Sequence, residues 1–166
     1  MSNDPEANLF GVEPNFGCCT TNMHQDWPKL VQSLWMSTPD QGVAAMVYAP
    51  NVVRTIVAGK VPVTIDEDTD YPFRGTVRFV VTPAEAVQFP LLVRIPSWAT
   101  EARVLVNGAA VTATGAGTFT RIDRRWARGD RVELRLTMVP RVSRWFHGSA
   151  AIERGPLVFA LRIRDE

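Results

Sequence analysis

The hydrophobic pattern of this 166-residue chain changes period once, near residue 43. Before that point Met23, Trp27, Leu30, Val31, Leu34 and Trp35 recur at intervals of three and four, which places them on one face of an α-helix. Thr20, Thr21 or Asn22 is suited to cap its start by accepting a backbone N–H. Pro28 removes one helical hydrogen bond and implies either a kink or a start near Asp26. Thr38-Pro39-Asp40-Gln41-Gly42 ends the helix as a turn.

Beyond residue 43 the pattern shortens to runs rich in β-branched residues. They are Val43–Ala49, Val52–Val57, Val61–Ile65, Thr76–Val81, Leu91–Ile95, Arg103–Val106, Thr118–Ile122, Arg131–Leu136 and Ala151–Leu161. Within Arg131–Leu136 the apolar Val132, Leu134 and Leu136 alternate with charges, the period of a half-buried strand. Turn residues separate the runs at residues 67–72, Asn107-Gly108, residues 115–117 and residues 128–130. Asn107-Gly108 suits a type I′ hairpin, whose two central residues both need positive φ. About nine short strands at this spacing predict an antiparallel β-sandwich. The fold class is therefore mainly β, with one amphipathic helix ahead of the sandwich. This chain supplies no second helix to cover that helix, which either lies against a sandwich face or, the preferred reading, is the last element of a helical domain.

Composition narrows the classes. An apolar fraction of 46% and a charged fraction of 21% suit a soluble globular protein. A net charge of +1 argues against nucleic-acid binding. Arg124, Arg125, Arg128 and Arg131 cluster, but Asp123 and Asp130 offset them. No apolar run has the length of a membrane span. Residues 1–6 lack the basic and apolar regions of a signal peptide. The compartment stays open: the cytoplasm is weakly favoured over export by a signal peptide further upstream.

Sharp chemistry is concentrated in Cys18-Cys19, the only two cysteines. Adjacent Cα atoms lie about 3.8 Å apart across a trans peptide, closer than a disulfide prefers. Both thiols are expected to be reduced. At a helix start, unpaired N–H groups lower a thiol pKa and favour the thiolate as nucleophile or metal ligand. The opposing reading is two small buried residues, since cysteine is often buried. A structural zinc wants four ligands, and only His24, His147 and carboxylates such as Glu13 or Asp26 could complete a site. His24 is also a candidate substrate contact, set against an ordinary surface histidine. Trp98 and Trp126 could stack on a sugar, although core packing is the commoner fate. Asp66-Glu67-Asp68 reads as a solvated acidic turn rather than a calcium loop.

Phe16-Gly17-Cys18-Cys19-Thr20-Thr21-Asn22 resembles the cysteine-pair segment of glycoside hydrolase family 127, the β-L-arabinofuranosidase-like enzymes. Four later blocks agree in order: residues 92–99 (LVRIPSWA), 106–108 (VNG), 126–134 (WARGDRVEL) and 152–158 (IERGPLV). The resemblance implies a catalytic (α/α)6 barrel followed by β-sandwich domains. Residues 1–42 would then be the end of the barrel and 43–166 the sandwich. It also implies a retaining, exo-acting glycosidase with a zinc-bound cysteine nucleophile. Cys18 matches the nucleophile and a zinc ligand, and Cys19 matches a further ligand. The family's other ligands, a glutamate and a third cysteine, lie upstream of the pair and have no counterpart here. The same holds for its acid/base glutamate.

The chain is accordingly expected to be inactive alone, with an incomplete zinc site. The implied partners are an L-arabinofuranoside-like carbohydrate substrate and, for the parent enzyme, a homodimer mate. The competing reading is a non-catalytic carbohydrate-binding or structural β-sandwich.

Overall fold

The computed structural model describes residues 25–160 and 162. The chain divides into two compact units, Met1–Leu34 and Trp35–Glu166. In the first, helix α1 spans Asp26–Gln32. Pro28 falls in its first turn, where the missing N–H has no helical acceptor to lose. Of the two outcomes that Pro28 allowed, the structure has the start at Asp26.

The helix is shorter than the apolar spacing suggested. Trp35 belongs to strand β1 (Trp35–Ser37), not to the helical face. Its ring meets Phe79 edge-on at 5.7 Å, and its indole N–H donates to Asn51 Oδ1 at 2.9 Å. Those contacts outweigh a periodicity that happened to continue for one more residue.

Thirteen strands follow among the described residues: β1, β2 (Val43–Ala45), β3 (Asn51–Val57), β4 (Val61–Thr69), β5 (Thr76–Pro83), β6 (Val87–Arg94), β7 (Ala102–Val106), β8 (Ala109–Val111), β9 (Phe119–Trp126), β10 (Asp130–Leu136), β11 (Pro140–Arg144), β12 (Ala150–Arg154) and β13 (Leu157–Phe159). They form a four-stranded sheet in the order β1-β2-β6-β9, a six-stranded sheet β3-β4-β5-β10-β7-β8 and a three-stranded sheet β11-β12-β13. All pairings are antiparallel except β2 with β6.

The first two sheets close on one core. Phe89, Leu91, Val93, Ile122 and Trp126 come from the four-stranded sheet; Val63, Ile65, Val77, Phe79 and Leu134 come from the six-stranded one. This is a β-sandwich. Alternation drives it: Val132, Leu134 and Leu136 are buried while Arg131 and Arg135 face water. Truncating a ring as enclosed as Phe79 or Trp126 to alanine costs about 3–5 kcal/mol.

Asn107 and Gly108 have φ of 50° and 83°, and Val106 pairs with Ala109 across them. The hairpin turn is as the dipeptide required. Asn107 also ties it to the neighbouring β9–β10 turn, donating to Asp130 Oδ1 at 2.8 Å and accepting from the Arg131 N–H. Gly75 is needed for close approach: a Cβ there would lie 2.0 Å from the Leu136 carbonyl oxygen.

Three further differences stand out. The acidic run Asp66-Glu67-Asp68 is strand, not turn, and Glu67 is buried. Residues 140–144 form β11 although no apolar run marked them. The last run is broken after Arg154 by a Gly155-Pro156 turn, giving β12 and β13.

Candidate functional site

Cys18, Cys19 and His24, like Glu13, lie outside the described residues. Of the other residues considered as ligands, Asp26 opens α1. His147 sits exposed on a short 3-10 turn (Phe146–Gly148) between β11 and β12. The two belong to different units. Among the described residues, no group of three or more His, Cys, Asp or Glu side chains is placed to hold a metal ion.

Two other polar constellations emerge instead, each built around a buried carboxylate. The alternation of β4 carries Val61, Val63, Ile65, Glu67 and Thr69 to the same inward face, so Glu67 enters the core where an apolar residue is expected. It is 4% exposed. Asn51 Nδ2 donates to its Oε2 at 2.7 Å, and the Ala49 N–H donates to Oε1 at 3.2 Å. Asn51 in turn accepts from the Trp35 indole. Burial pushes the Glu67 carboxyl up to about 7, the neutral donors only partly opposing it. Nearby, burial also raises the Tyr48 phenol, whose hydroxyl donates to the Arg94 carbonyl at 2.5 Å. Trp35, which donates to Asn51, packs edge-on against Phe79, and Phe79 also meets the Tyr48 ring. The group joins β1, β3 and β4 and offers no surface to a substrate.

The second constellation lies on the three-stranded sheet. Glu153 of β12 is 8% exposed. Its Oε1 accepts the Ser143 hydroxyl at 2.7 Å, and its Oε2 accepts Arg141 Nε at 2.8 Å and Nη2 at 2.6 Å. The Ser143 hydrogen bond, then the Arg141 guanidinium, hold this carboxyl below the usual range. Ser143 Oγ also accepts the Trp145 indole N–H at 2.7 Å.

Trp126 is fully buried and donates to the Phe89 carbonyl at 2.9 Å. Trp98 is partly buried, stacked on Tyr71 with centroids 6.5 Å apart. Both side chains pack into the sandwich rather than forming a sugar platform. The arginine cluster is partly neutralised, Arg124 lying 3.7 Å from Asp130. Both carboxylate groups escaped the reading of the sequence. Extending the period-two count of β4 past Ile65 would have found Glu67.

The fold and the order of motifs place the chain among the β-sandwich portions of glycoside hydrolases. The family model described as "Beta-L-arabinofuranosidase, GH127 middle domain" matches residues 42–138. That is more than half of the chain, which thus belongs to glycoside hydrolase family 127.

Solved structures agree. A GH127 β-L-arabinofuranosidase from Geobacillus stearothermophilus T6 is 29% identical with a TM-score of 0.80, over 88% of this chain and 24% of that one. A protein described as a glycoside hydrolase is 27% identical with a TM-score of 0.79, over 95% of this chain and 28% of its own. A further GH127 β-arabinofuranosidase is 27% identical with a TM-score of 0.78, over 88% and 26%. The chain thus spans about a quarter of the length of the structures it matches. No curated protein matches it in sequence.

Proposed function

We propose that this chain is the nucleophile-bearing portion of a retaining, exo-acting β-L-arabinofuranosidase. The observation that carries the proposal is the family match over residues 42–138, together with the Cys18-Cys19 segment that precedes it in the expected order.

In this reading the Cys18 thiolate attacks the anomeric carbon of the sugar. A C–S bond forms as the glycosidic C–O bond breaks, and a carboxylic acid supplied from beyond these motifs protonates the leaving oxygen. Water then attacks the same carbon, the C–S bond breaks, and the proton returns to the carboxylate. Cys18 is released as thiolate, and two displacements retain configuration. Cys18 and Cys19 would hold zinc, which suits their soft thiolate donors and would keep both deprotonated at neutral pH. His24 contacts the substrate. Two thiols leave a four-coordinate site half filled, so turnover is assigned to the complete protein and not to these 166 residues alone.

The test is hydrolysis of an aryl β-L-arabinofuranoside by the complete product of the gene. Turnover is expected there, with at least ~10³-fold loss in Cys18→Ala and none from the 166-residue chain. Sugar binding without turnover that survives Cys18→Ala together with Cys19→Ala would instead establish a non-catalytic binding module.

A further inference from the structure

We infer that Glu67, Asn51 and Trp35 form a proton-operated latch on β1: when Glu67 takes up a proton, the Asn51 side-chain amide turns over and releases the Trp35 indole. The three side chains come from β4, β3 and β1. Glu67 and Asn51 are direct partners across the β3–β4 pair. Trp35 opens β1, an edge strand joined to β2 by three residue pairs.

The donors and acceptors of this cluster suit one charge state only. Glu67 Oε2 accepts from Asn51 Nδ2 at 2.7 Å, and Oε1 accepts from the Ala49 N–H at 3.2 Å. The Trp35 indole also bears on this carboxyl as a donor. Both oxygens thus face N–H groups, as an acceptor-only carboxylate requires. Asn51 is held at both ends of its amide. Its Oδ1 accepts the Trp35 N–H at 2.9 Å, and its Nδ2 also donates to the Ala49 carbonyl at 2.7 Å.

The surroundings favour the opposite charge state. Glu67 is 4% exposed. On its own strand Asp66 and Asp68 alternate to the outer face. Arg78 of β5 pairs out there with Asp68 and Glu133, and Arg54 of β3 is exposed. Strand β1 carries no charge. Tyr48 is the titratable neighbour from the β2–β3 connection, and Arg94 of β6 acts on Tyr48 rather than on Glu67. Among the described residues no cation faces the carboxyl, and an unpaired buried charge is costly.

A proton on Glu67 therefore forces a rearrangement. On either oxygen it would point at an N–H. Turning the Asn51 amide over presents Oδ1 to the acid as its acceptor. The same turn brings Nδ2 to face the Trp35 N–H, donor against donor, and that bond is lost. The indole keeps its edge-on contact with Phe79 but no longer ties β1 to β3. Trp35 is the first residue of the second unit, so the strand that loosens is the one by which the chain enters the sandwich. Trp126 offers the contrast: its indole N–H rests on the Phe89 backbone carbonyl, which cannot turn over.

The test is an NMR titration of the purified chain from pH 5 to pH 9. It follows the indole N–H signals and the Glu67 side-chain carboxyl carbon, with Trp35 assigned by its loss in Trp35→Phe. Below a midpoint of about 7 the Trp35 signal is expected to move upfield and to lose about fivefold protection from solvent exchange. The Glu67 carboxyl should titrate at the same midpoint, and the Trp126 signal should stay in place. Glu67→Gln, whose amide supplies the donor of the protonated acid, should hold Trp35 in its low-pH state throughout. A Trp35 signal that does not titrate, that titrates apart from Glu67, or that still titrates in Glu67→Gln would overturn the inference. Should that variant fail to fold, coincidence of the two midpoints in the unaltered chain decides.

Discussion

Glu67 and Glu153 are both nearly inaccessible carboxylates on strands of the same unit, yet their protons are held in opposite ways. Glu67 has only neutral donors, the Asn51 amide and the Ala49 N–H, so burial dominates and its carboxyl rises to about 7. Glu153 has a hydroxyl and a full positive charge from Arg141, and its carboxyl falls below the usual range. Depth and donors decide together: burial is the leading cause for Glu67 in the sandwich core, whereas for Glu153 it ranks behind the Ser143 and Arg141 hydrogen bonds. The first arrangement stitches the sandwich internally; the second holds a surface side chain in place.

The largest expected difference is in pH dependence. A carboxyl raised in the fold binds more protons there than when unfolded. Glu67 thus contributes stability that is fullest below its unfolded value of 4.5 and is lost as pH rises through about 7. The loss is on the order of 3 kcal/mol at most. Urea unfolding at pH 5 and pH 8 should show it, and Glu67→Gln should flatten the slope. A slope unchanged in that variant would contradict the comparison. Glu153 acts with opposite sign: its contribution is present above 4.5 and is lost as pH falls through its lowered folded value.

Asn51→Ala comes next, at about 2 kcal/mol of destabilisation, because it strips Glu67 of one donor and the Trp35 indole of its acceptor together. It should also raise the Glu67 carboxyl further, moving the pH-dependent loss of stability upward. An unfolding midpoint equal to that of the unaltered chain would show that the Asn51 bridge is dispensable. Glu153→Gln is expected to have the smallest effect on unfolding, since Arg141 remains solvated. Its signature is instead faster rotation of Trp145, read as a drop in tryptophan anisotropy that Glu67→Gln does not produce.

The same contrast explains what the sequence disclosed. The sandwich was legible wherever apolar residues alternated with polar ones, as in β10, and at Asn107-Gly108, where only residues tolerant of positive φ fit. It was illegible where a carboxylate occupied an inward position. Asp66-Glu67-Asp68 looks like a turn because nothing in one dimension reveals that Asn51 and Ala49 wait to satisfy Glu67. The strand β11 hid for a related reason: Arg141, Ser143 and Arg144 are polar, and their partners lie on β12. Trp35 continued the helical spacing by coincidence, and its fate was set by Phe79 and Asn51, far along the chain. The cysteine pair was legible as chemistry through its motif alone. It lies outside the described residues, so its assignment rests on sequence and family.

The most direct measurement is therefore peptide mass analysis of the complete gene product, quenched during turnover of an aryl β-L-arabinofuranoside. A pentosyl unit attached to the peptide containing Cys18-Cys19 is expected, lost in Cys18→Ala and retained in Cys19→Ser if metal is supplied in excess. Turnover with no sugar on that peptide, or with the sugar on a carboxylate elsewhere, would contradict the assignment of Cys18 as nucleophile.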